Sequence, residues 1–274
     1  MLFLFIGAAI LNVYAATLVI LRAAVYRTRL YRPMLWNIML SVLPILLLAL
    51  AFVALVGLLP VNRVLAFAIV TVLGVAWLLM LPNASYLITE LNQSHRSDDD
   101  PVPLWYDIIL VISLAMSGVI NTIVNVFVAQ LLYSVVMFDD RAVSFFRPRA
   151  MIALAVVLLL VGLGMYLGRY LRLNSWDVRH PTALLEKVVT HFKERGNALA
   201  CFGFTLTYAL FIGILYLTIV TPIVVGLYEL ELCWGAATSR AEPAPRRGPC
   251  GGGSPPRPRA RLPLGRSTCD PGVQ

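Results

Sequence analysis

Two polar segments of the chain hold residue types that can bind an anion or move a proton. The first reads LPNASYLITELNQSHRSDDDPVPLWYD over residues 81–107, and the second reads GRYLRLNSWD over residues 168–177. Hydrogen bonds that involve a charged carboxylate or guanidinium group are shorter and stronger than neutral ones. The candidate binding residues are Asn83, Glu90, Asp107, Arg169, Arg172, Asn174 and Asp177.

Each segment also holds residues that shape the backbone or anchor it. Pro82 predicts that the preceding helix ends before it, because proline disfavours helical geometry at the residue in front. Asn83 would then cap backbone groups at that break. The motif residues with such structural roles are Pro82, Tyr86, Trp105, Gly168, Ser175 and Trp176.

The two arginines of the second segment allow two interpretations. Arg169 and Arg172 are three residues apart, so they share one face if the helix continues through them. For each arginine alone, a positive anchor at the membrane surface is the simpler interpretation.

Metal and cofactor chemistry is not indicated by the sequence. The run Asp98, Asp99 and Asp100 lacks the spacing of an EF-hand and is typical of a solvated loop. The cysteines show no zinc or redox spacing. GxSxG, HExxH and P-loop motifs are all absent from the sequence, so it predicts no metal, no cofactor and no particular enzyme.

The composition identifies the kind of element that must position these residues. The 274 residues are 59% hydrophobic and only 13% charged, with a mean hydropathy of +0.82. Soluble domains have about 45–50% apolar and about 25% charged residues. The chain therefore has too few polar residues to cover a soluble core, and a polytopic membrane protein is predicted.

Six stretches are long and apolar enough for membrane-spanning helices, which need about 20 residues. They cover residues 2–21, 34–59, 64–81, 108–138, 150–168 and 199–228. The predicted fold is all-α: a six-span transmembrane bundle that lies in the cell membrane, with the lipid bilayer as its main partner.

The order of the spans brings the two polar segments together. The third and fifth loops are separated by two spans, so they emerge on one face of the membrane. We therefore predict that Glu90 and Asp107 meet Arg169 and Arg172 at headgroup depth. If this contact exists, Asp107→Arg alone is damaging and a compensating Arg169→Asp restores folding.

The basic residues predict the orientation. Lys and Arg close to the spans are more numerous in the odd-numbered loops than in the even-numbered loops and the C-terminal tail. The positive-inside rule then places the odd-numbered loops in the cytoplasm and both termini outside.

A short amphipathic helix is predicted inside the fifth loop. Pro181 suits the first helical position, apolar residues recur at helical spacing, and Gly196 suits the stop. Such a helix lies on the bilayer surface. His180 and His191 are interpreted as residues of its polar face or caps.

The fourth span contains a polar stripe with two interpretations. Ser113, Ser117, Asn121 and Asn125 follow one another at four-residue spacing, with Thr122 and Gln130 nearby. Such residues usually join helices by hydrogen bonds. The alternative is the lining of a polar cavity, which the absence of an ionisable residue within the span makes weaker.

The last residues differ in composition from the rest. Residues 1–232 form the predicted six-span domain, whereas residues 233–274 are rich in Pro, Gly and Arg and are predicted to be disordered. A shifted reading frame is one explanation of this tail. Because the tail supplies much of the net charge of +8, that charge does not predict a nucleic-acid partner.

The two segments, in this order among six apolar spans, resemble an uncharacterised family of bacterial integral membrane proteins, domain of unknown function 1361. The resemblance covers about the first 230 residues, and Glu90 stands where the family more often has Asp. It implies a multi-pass membrane protein and no particular activity. The matching positions are Leu81, Pro82, Asn83, Ala84, Tyr86, Trp105, Asp107, Gly168, Arg169, Arg172, Asn174, Ser175, Trp176 and Asp177.

Three functions are compatible with this pattern. The first is binding or transport of a small polar or anionic solute or lipid headgroup, and the second is a structural or assembly subunit. The third is an enzyme that acts on a lipid-linked substrate. A through-going polar path would favour a transporter, fully paired polar groups would favour a structural protein, and a closed cleft with a perturbed carboxylate would favour an enzyme.

Overall fold

The structure is a computed structural model, and it describes residues 2–28, 30, 32–87, 102–138, 145–170, 181–194 and 196–241. Seven helices make up the regular structure of these ranges. Within these ranges no strand occurs. The helices are α1 (Leu2–Val25), α2 (Arg32–Leu58), α3 (Arg63–Tyr86), α4 (Leu104–Phe138), α5 (Pro148–Tyr170), α6 (Pro181–Lys193) and α7 (Asn197–Ala241).

Six of these helices, α1–α5 and α7, are long and apolar enough to cross a membrane. The predicted six-span helical bundle is confirmed. Helices α1, α3 and α5 end at one end of the bundle, where α2, α4 and α7 begin; we call it the odd-loop end. The opposite end, where α3 and α5 begin, is the even-loop end.

Helix α4 occupies the centre of the bundle. It contacts each of the five other spans, and 61% of its most apolar stretch is buried, against 17–39% for the others. A central helix has few lipid-facing positions, so its polar residues face other helices. The stripe predicted on the fourth span therefore lies inside the bundle.

Close approach of α5 and α7 depends on a glycine. A Cβ atom at Gly162 would lie 2.7 Å from the backbone oxygen of Thr205 on α7. Backbone atoms cannot move aside as a flexible side chain can. A larger residue at this position would therefore separate the two helices.

The prediction that the third helix ends before Pro82 is wrong. Helix α3 continues through Pro82 to Tyr86, so Asn83 lies inside the helix instead of capping a break. Proline removes one backbone donor, but transmembrane helices tolerate it where neighbouring helices and side chains compensate. Here Pro82 is held against α5, as described below.

The fifth loop contains the predicted amphipathic helix, which is confirmed as α6. It begins at Pro181 and ends at Lys193, and Gly196 has a φ of 99°, a conformation that favours glycine. Helix α7 then extends to Ala241, past the predicted start of the tail at residue 233. The remainder of the predicted tail, residues 242–274, lies outside the described residues.

Candidate functional site

An ion pair joins α1 to α4 at the odd-loop end. Arg22 Nε donates to Asp107 Oδ1 at 2.9 Å, with side-chain exposures of 26% and 16%. Arg22 lies in the last turn of α1 and Asp107 in the first turn of α4. Each charge therefore sits at the helix end whose dipole favours it. In the sequence, Arg22 is only one of the basic residues of the first loop that predict the orientation, and no local signal predicts this pairing.

Tyrosines support the ion pair from the neighbouring turn. The buried Tyr106 donates its hydroxyl hydrogen to the backbone oxygen of Leu18 at 2.8 Å. Its ring meets that of Tyr26 edge to face, with 5.4 Å between centroids. These contacts fix the distance between α1 and α4 at the level of Arg22 and Asp107.

Helices α3 and α5 meet at Pro82, which belongs to the first motif-bearing segment, and at Gly164, which lies four residues before the second. A Cβ atom at Gly164 would lie only 2.4 Å from Pro82 Cγ, so the proline ring occupies the space that the glycine leaves. Asn83 follows Pro82 directly, and Arg169 lies one to two turns beyond Gly164; both are half-buried. The contact places the described ends of α3 and α5 next to each other.

The end of α3 lies deep in the bundle. Leu87 and Ala84 contact α4 at Gly118, where an added Cβ would lie 2.8 Å from Leu87 Cβ. Asp107 precedes Gly118 by eleven residues, or about 16 Å along the helix axis. The chain therefore leaves α3 far below the first turn of α4.

The described residues contain only part of the predicted site. Asn83, Asp107 and Arg169 are described, together with Pro82, Gly168 and the exposed Trp105; the backbone of Tyr86 lies in α3. The pairing of Glu90 and Asp107 with Arg169 and Arg172 stays a prediction. The predicted residues that lie outside the described ranges are Glu90, Arg172, Asn174, Ser175, Trp176 and Asp177.

A hydrogen-bonded network in the middle of the bundle begins at Asn121. Its side-chain amide exchanges two hydrogen bonds with Asn12 of α1, at 2.8 and 2.9 Å. Asn121 Nδ2 also donates to Ser41 Oγ of α2 at 2.7 Å, and Ser41 Oγ donates to the backbone oxygen of Ala84 in α3 at 3.2 Å. One asparagine therefore connects four helices.

Two further side chains of α4 bind α3. Asn125 Oδ1 accepts from Trp77 Nε1 at 3.2 Å, and the hydroxyl groups of Thr122 and Ser85 lie 2.7 Å apart. The other two stripe residues, Ser113 and Ser117, donate to backbone oxygens of α4 itself. This pairing favours the helix-joining interpretation of the stripe over a polar cavity.

A third cluster ties α6 to the spans at the odd-loop end. Tyr166 of α5 has its hydroxyl 2.9 Å from His191 Nε2 and donates to the backbone oxygen of Asn197 at 3.2 Å. Asn197 Nδ2 donates in turn to the backbone oxygen of His191 at 2.9 Å. His191, interpreted from the sequence as a residue of the polar face, thus links α6 to α5 and α7.

Among the described residues, no group of three or more His, Cys, Asp or Glu side chains could hold a metal ion. Their charged groups at the odd-loop end include the ion pair of Arg22 with Asp107, and Glu194, which accepts a hydrogen bond from Asn197 Nδ2 at 3.0 Å. Guanidinium groups bind phosphate and carboxylate oxygens by paired N–H donors. The described guanidinium groups of α1 and α5 at this end are those of Arg22, which is bound to Asp107, and Arg169.

Five apolar spans around a sixth, central helix with polar side-chain contacts define a multi-pass helical membrane protein. The family model for proteins of unknown function, DUF1361, matches residues 36–218. The chain belongs to this family. No curated protein and no solved structure matches the chain. The match includes both motif-bearing segments, whereas Asn12 and Arg22 precede it.

Proposed function

We propose that the protein binds the anionic group of a small polar solute or of a lipid headgroup at its odd-loop end. The observation that carries this proposal is the contact between Pro82 and Gly164. Pro82 belongs to the first polar segment and Gly164 lies four residues before the second, so this contact supports a position of the two segments next to each other. Asn83 follows Pro82 directly and Arg169 follows Gly164 by five residues, which makes these two side chains the described candidates for contact with the anion.

The bundle beneath this end favours binding over passage through the membrane. The mid-bundle amides of Asn121 and Asn125 are engaged with Asn12, Ser41 and Trp77. Groups that are already paired offer an ion or solute no replacement for its water shell, and opening them would break interhelical bonds. We infer a rigid bundle that presents a binding surface at one end.

The orientation belongs to the same proposal. The excess of basic residues in the odd-numbered loops assigns the odd-loop end to the cytoplasm and both termini to the outside. The ligand would then be met on the cytoplasmic side, either free in solution or as a headgroup of the inner leaflet.

Thermal unfolding of the full-length protein in detergent tests the proposal. Inorganic phosphate serves as the soluble probe and short-chain phosphatidylglycerol as the lipid probe. A ligand that binds only the folded state stabilises it by about 2.7 kcal/mol at 100 times its Kd. We expect Arg169→Gln to remove this stabilisation, and Lys193→Gln, an exposed cation of α6, to retain it.

Two outcomes contradict the proposal. In the first, neither probe raises the unfolding temperature of the wild type. In the second, Arg169→Gln unfolds at a lower temperature without the probe but keeps the full probe-dependent shift, which assigns Arg169 a structural role. The difference between the phosphate and lipid arms identifies the source of the anionic group.

A structural or assembly subunit is the second candidate function. It is favoured by the pairing of α4 with α1, α2 and α3, because the polar side chains of this helix serve to join helices. Under this function, Asn121→Leu would disturb folding or assembly, and no anion would change the stability of the wild type.

A further inference from the structure

A cleft between α3, α4 and α5 lies in the half of the bundle nearest the even-loop end. Its volume is about 200 Å³, and it is partly open. The α5 residues in its wall lie between Ala150 and Val157, a stretch of about 10 Å along the helix axis near the start of α5. Residues that line it include Trp77, Val126, Gln130, Ala150, Ala153 and Val157.

The walls of the cleft suit an apolar occupant. Gln130 donates to the backbone oxygen of Phe145 at 3.1 Å and accepts from the Tyr216 hydroxyl, while Trp77 donates to Asn125. Their polar groups are therefore engaged away from the space between the helices. An apolar cavity of about 150 Å³ stays dry and binds small hydrocarbons. This cleft is larger and stands beside lipid chains.

Positive charge lies beside the shallow end of the cleft. Arg149 is in the first turn of α5, four residues before Ala153, so it lies one turn nearer the even-loop end on the same side of the helix. Its side chain is exposed, and within the described part of the chain it forms no ion pair. The positive end of the α5 helix dipole also attracts an anion at this position, and no acidic residue of the described first turn offsets it.

We propose that this cleft binds one acyl chain of an anionic phospholipid, whose phosphate is held by Arg149. The apolar walls select a hydrocarbon chain, and the arginine at the shallow end selects the charge of the headgroup. The site is separate from the proposed function, because it uses residues at the other end of the bundle and does not require Arg169.

Trp77 provides a direct reporter. Its side chain is only 7% exposed, so a bromine atom in the bulk lipid is shielded from it, whereas a brominated chain in the cleft contacts it. The experiment uses the full-length chain with Trp77 as the only tryptophan. Dibrominated phosphatidylglycerol or dibrominated phosphatidylcholine is titrated into vesicles of unbrominated phosphatidylcholine that contain the protein.

We expect half-maximal quenching of Trp77 at an about fivefold lower fraction of phosphatidylglycerol than of phosphatidylcholine, the preference that one arginine near the surface supplies. Arg149→Gln should abolish this preference. Arg63→Gln, an exposed arginine at the start of α3, should retain it. Equal midpoints for the two lipids in the parent protein would overturn the role of Arg149.

Occupancy of the cleft is tested by filling it. Ala153→Leu places a larger side chain in the cleft, whereas Ala155→Leu adds the same atoms to an exposed position of α5. Quenching should fall for Ala153→Leu and stay unchanged for Ala155→Leu. Equal quenching in the two variants would show that bromine reaches Trp77 from bulk lipid, and the proposal would be wrong.

Native mass spectrometry provides a second measurement that keeps all the tryptophans. The wild-type protein and Ala155→Leu should retain one phosphatidylglycerol molecule under conditions that remove phosphatidylcholine. Ala153→Leu should lose it. Retention by Ala153→Leu equal to that of the wild type would contradict the proposal even if the single-tryptophan protein does not fold.

Discussion

The substitution Asn121→Leu tests whether the mid-bundle network stabilises the fold. Asn121 forms three interhelical hydrogen bonds, two with Asn12 and one with Ser41. Interhelical hydrogen bonds in membranes contribute about 0.6 kcal/mol on average, so their loss lowers the free energy of unfolding by about 2 kcal/mol. Leucine has the same number and branching of side-chain heavy atoms as asparagine, which limits the packing change.

The assay is reversible unfolding in mixed micelles of increasing SDS content, followed by circular dichroism. Ser113→Ala is the matched control, because Ser113 is buried on the same stripe but donates only to the backbone oxygen of Ile109 in its own helix. Back-bonding of this kind slightly destabilises helices, so we expect almost no loss or a small gain in stability.

A double-mutant cycle isolates the bond pair between α1 and α4. Asn12→Leu combined with Asn121→Leu should show a coupling free energy of about 1 kcal/mol for the two reciprocal hydrogen bonds. A loss for Asn121→Leu no larger than that for Ser113→Ala, together with no coupling, would refute the reasoning. The stripe would then stabilise the bundle only through packing.

Three further predictions address other parts of the fold. Arg22→Asp and Asp107→Arg should each lower the free energy of unfolding by about 2 kcal/mol, the typical contribution of a charged hydrogen bond, and the double variant should recover most of it in the same SDS titration. Gly162→Ala should lower the free energy of unfolding by about 1–3 kcal/mol, because the added Cβ would meet the α7 backbone. At Gly203 an added Cβ meets nothing, so Gly203→Ala should be neutral or stabilising. Thermal melts in detergent compare the two variants. A cysteine at Thr28, in the first loop, should react with a membrane-impermeant maleimide only after the cells are opened, and labelling of intact cells would reverse the proposed orientation.

The helices were predictable because their signal is local. A continuous run of apolar residues must satisfy its backbone internally, so the spans and the amphipathic α6 followed from hydropathy and periodicity alone. The spacing of Asn121 and Asn125 also predicted a shared face. Their partners did not follow, because Asn12 and Trp77 are set by which helices neighbour α4, and this is a property of the three-dimensional arrangement.

Pro82 shows where a local rule fails. The rule that a helix ends before proline considers only the chain itself, whereas the neighbouring α5 provides at Gly164 a surface without a side chain that accommodates the ring. Nothing in the sequence indicates that the partner of Gly164 is a proline. That the two motif-bearing segments lie close together stays a prediction from the parity of the loops.

Arg22 was missed because basic residues after a span serve as orientation signals in many membrane proteins, and nothing local distinguishes this one. The same parity argument could have found it. The first and third loops lie on one face, so a basic residue that ends α1 and an acidic residue that begins α4 occur at the same depth if the two helices are neighbours. That condition is met, because Asn12 and Asn121 pair farther down the same two helices.

Helix α1 lies outside the family match but binds polar residues within it. The family match begins at residue 36, after α1 has ended, yet Asn121 and Asp107 within the match both pair with α1. Without α1, the polar side chains of the central helix would face lipid at the cost of about 1–3 kcal/mol for each unsatisfied group. In this chain α1 provides partners for three polar side chains of the central helix, those of Tyr106, Asp107 and Asn121, so α1 belongs to the same structural unit as the matched region.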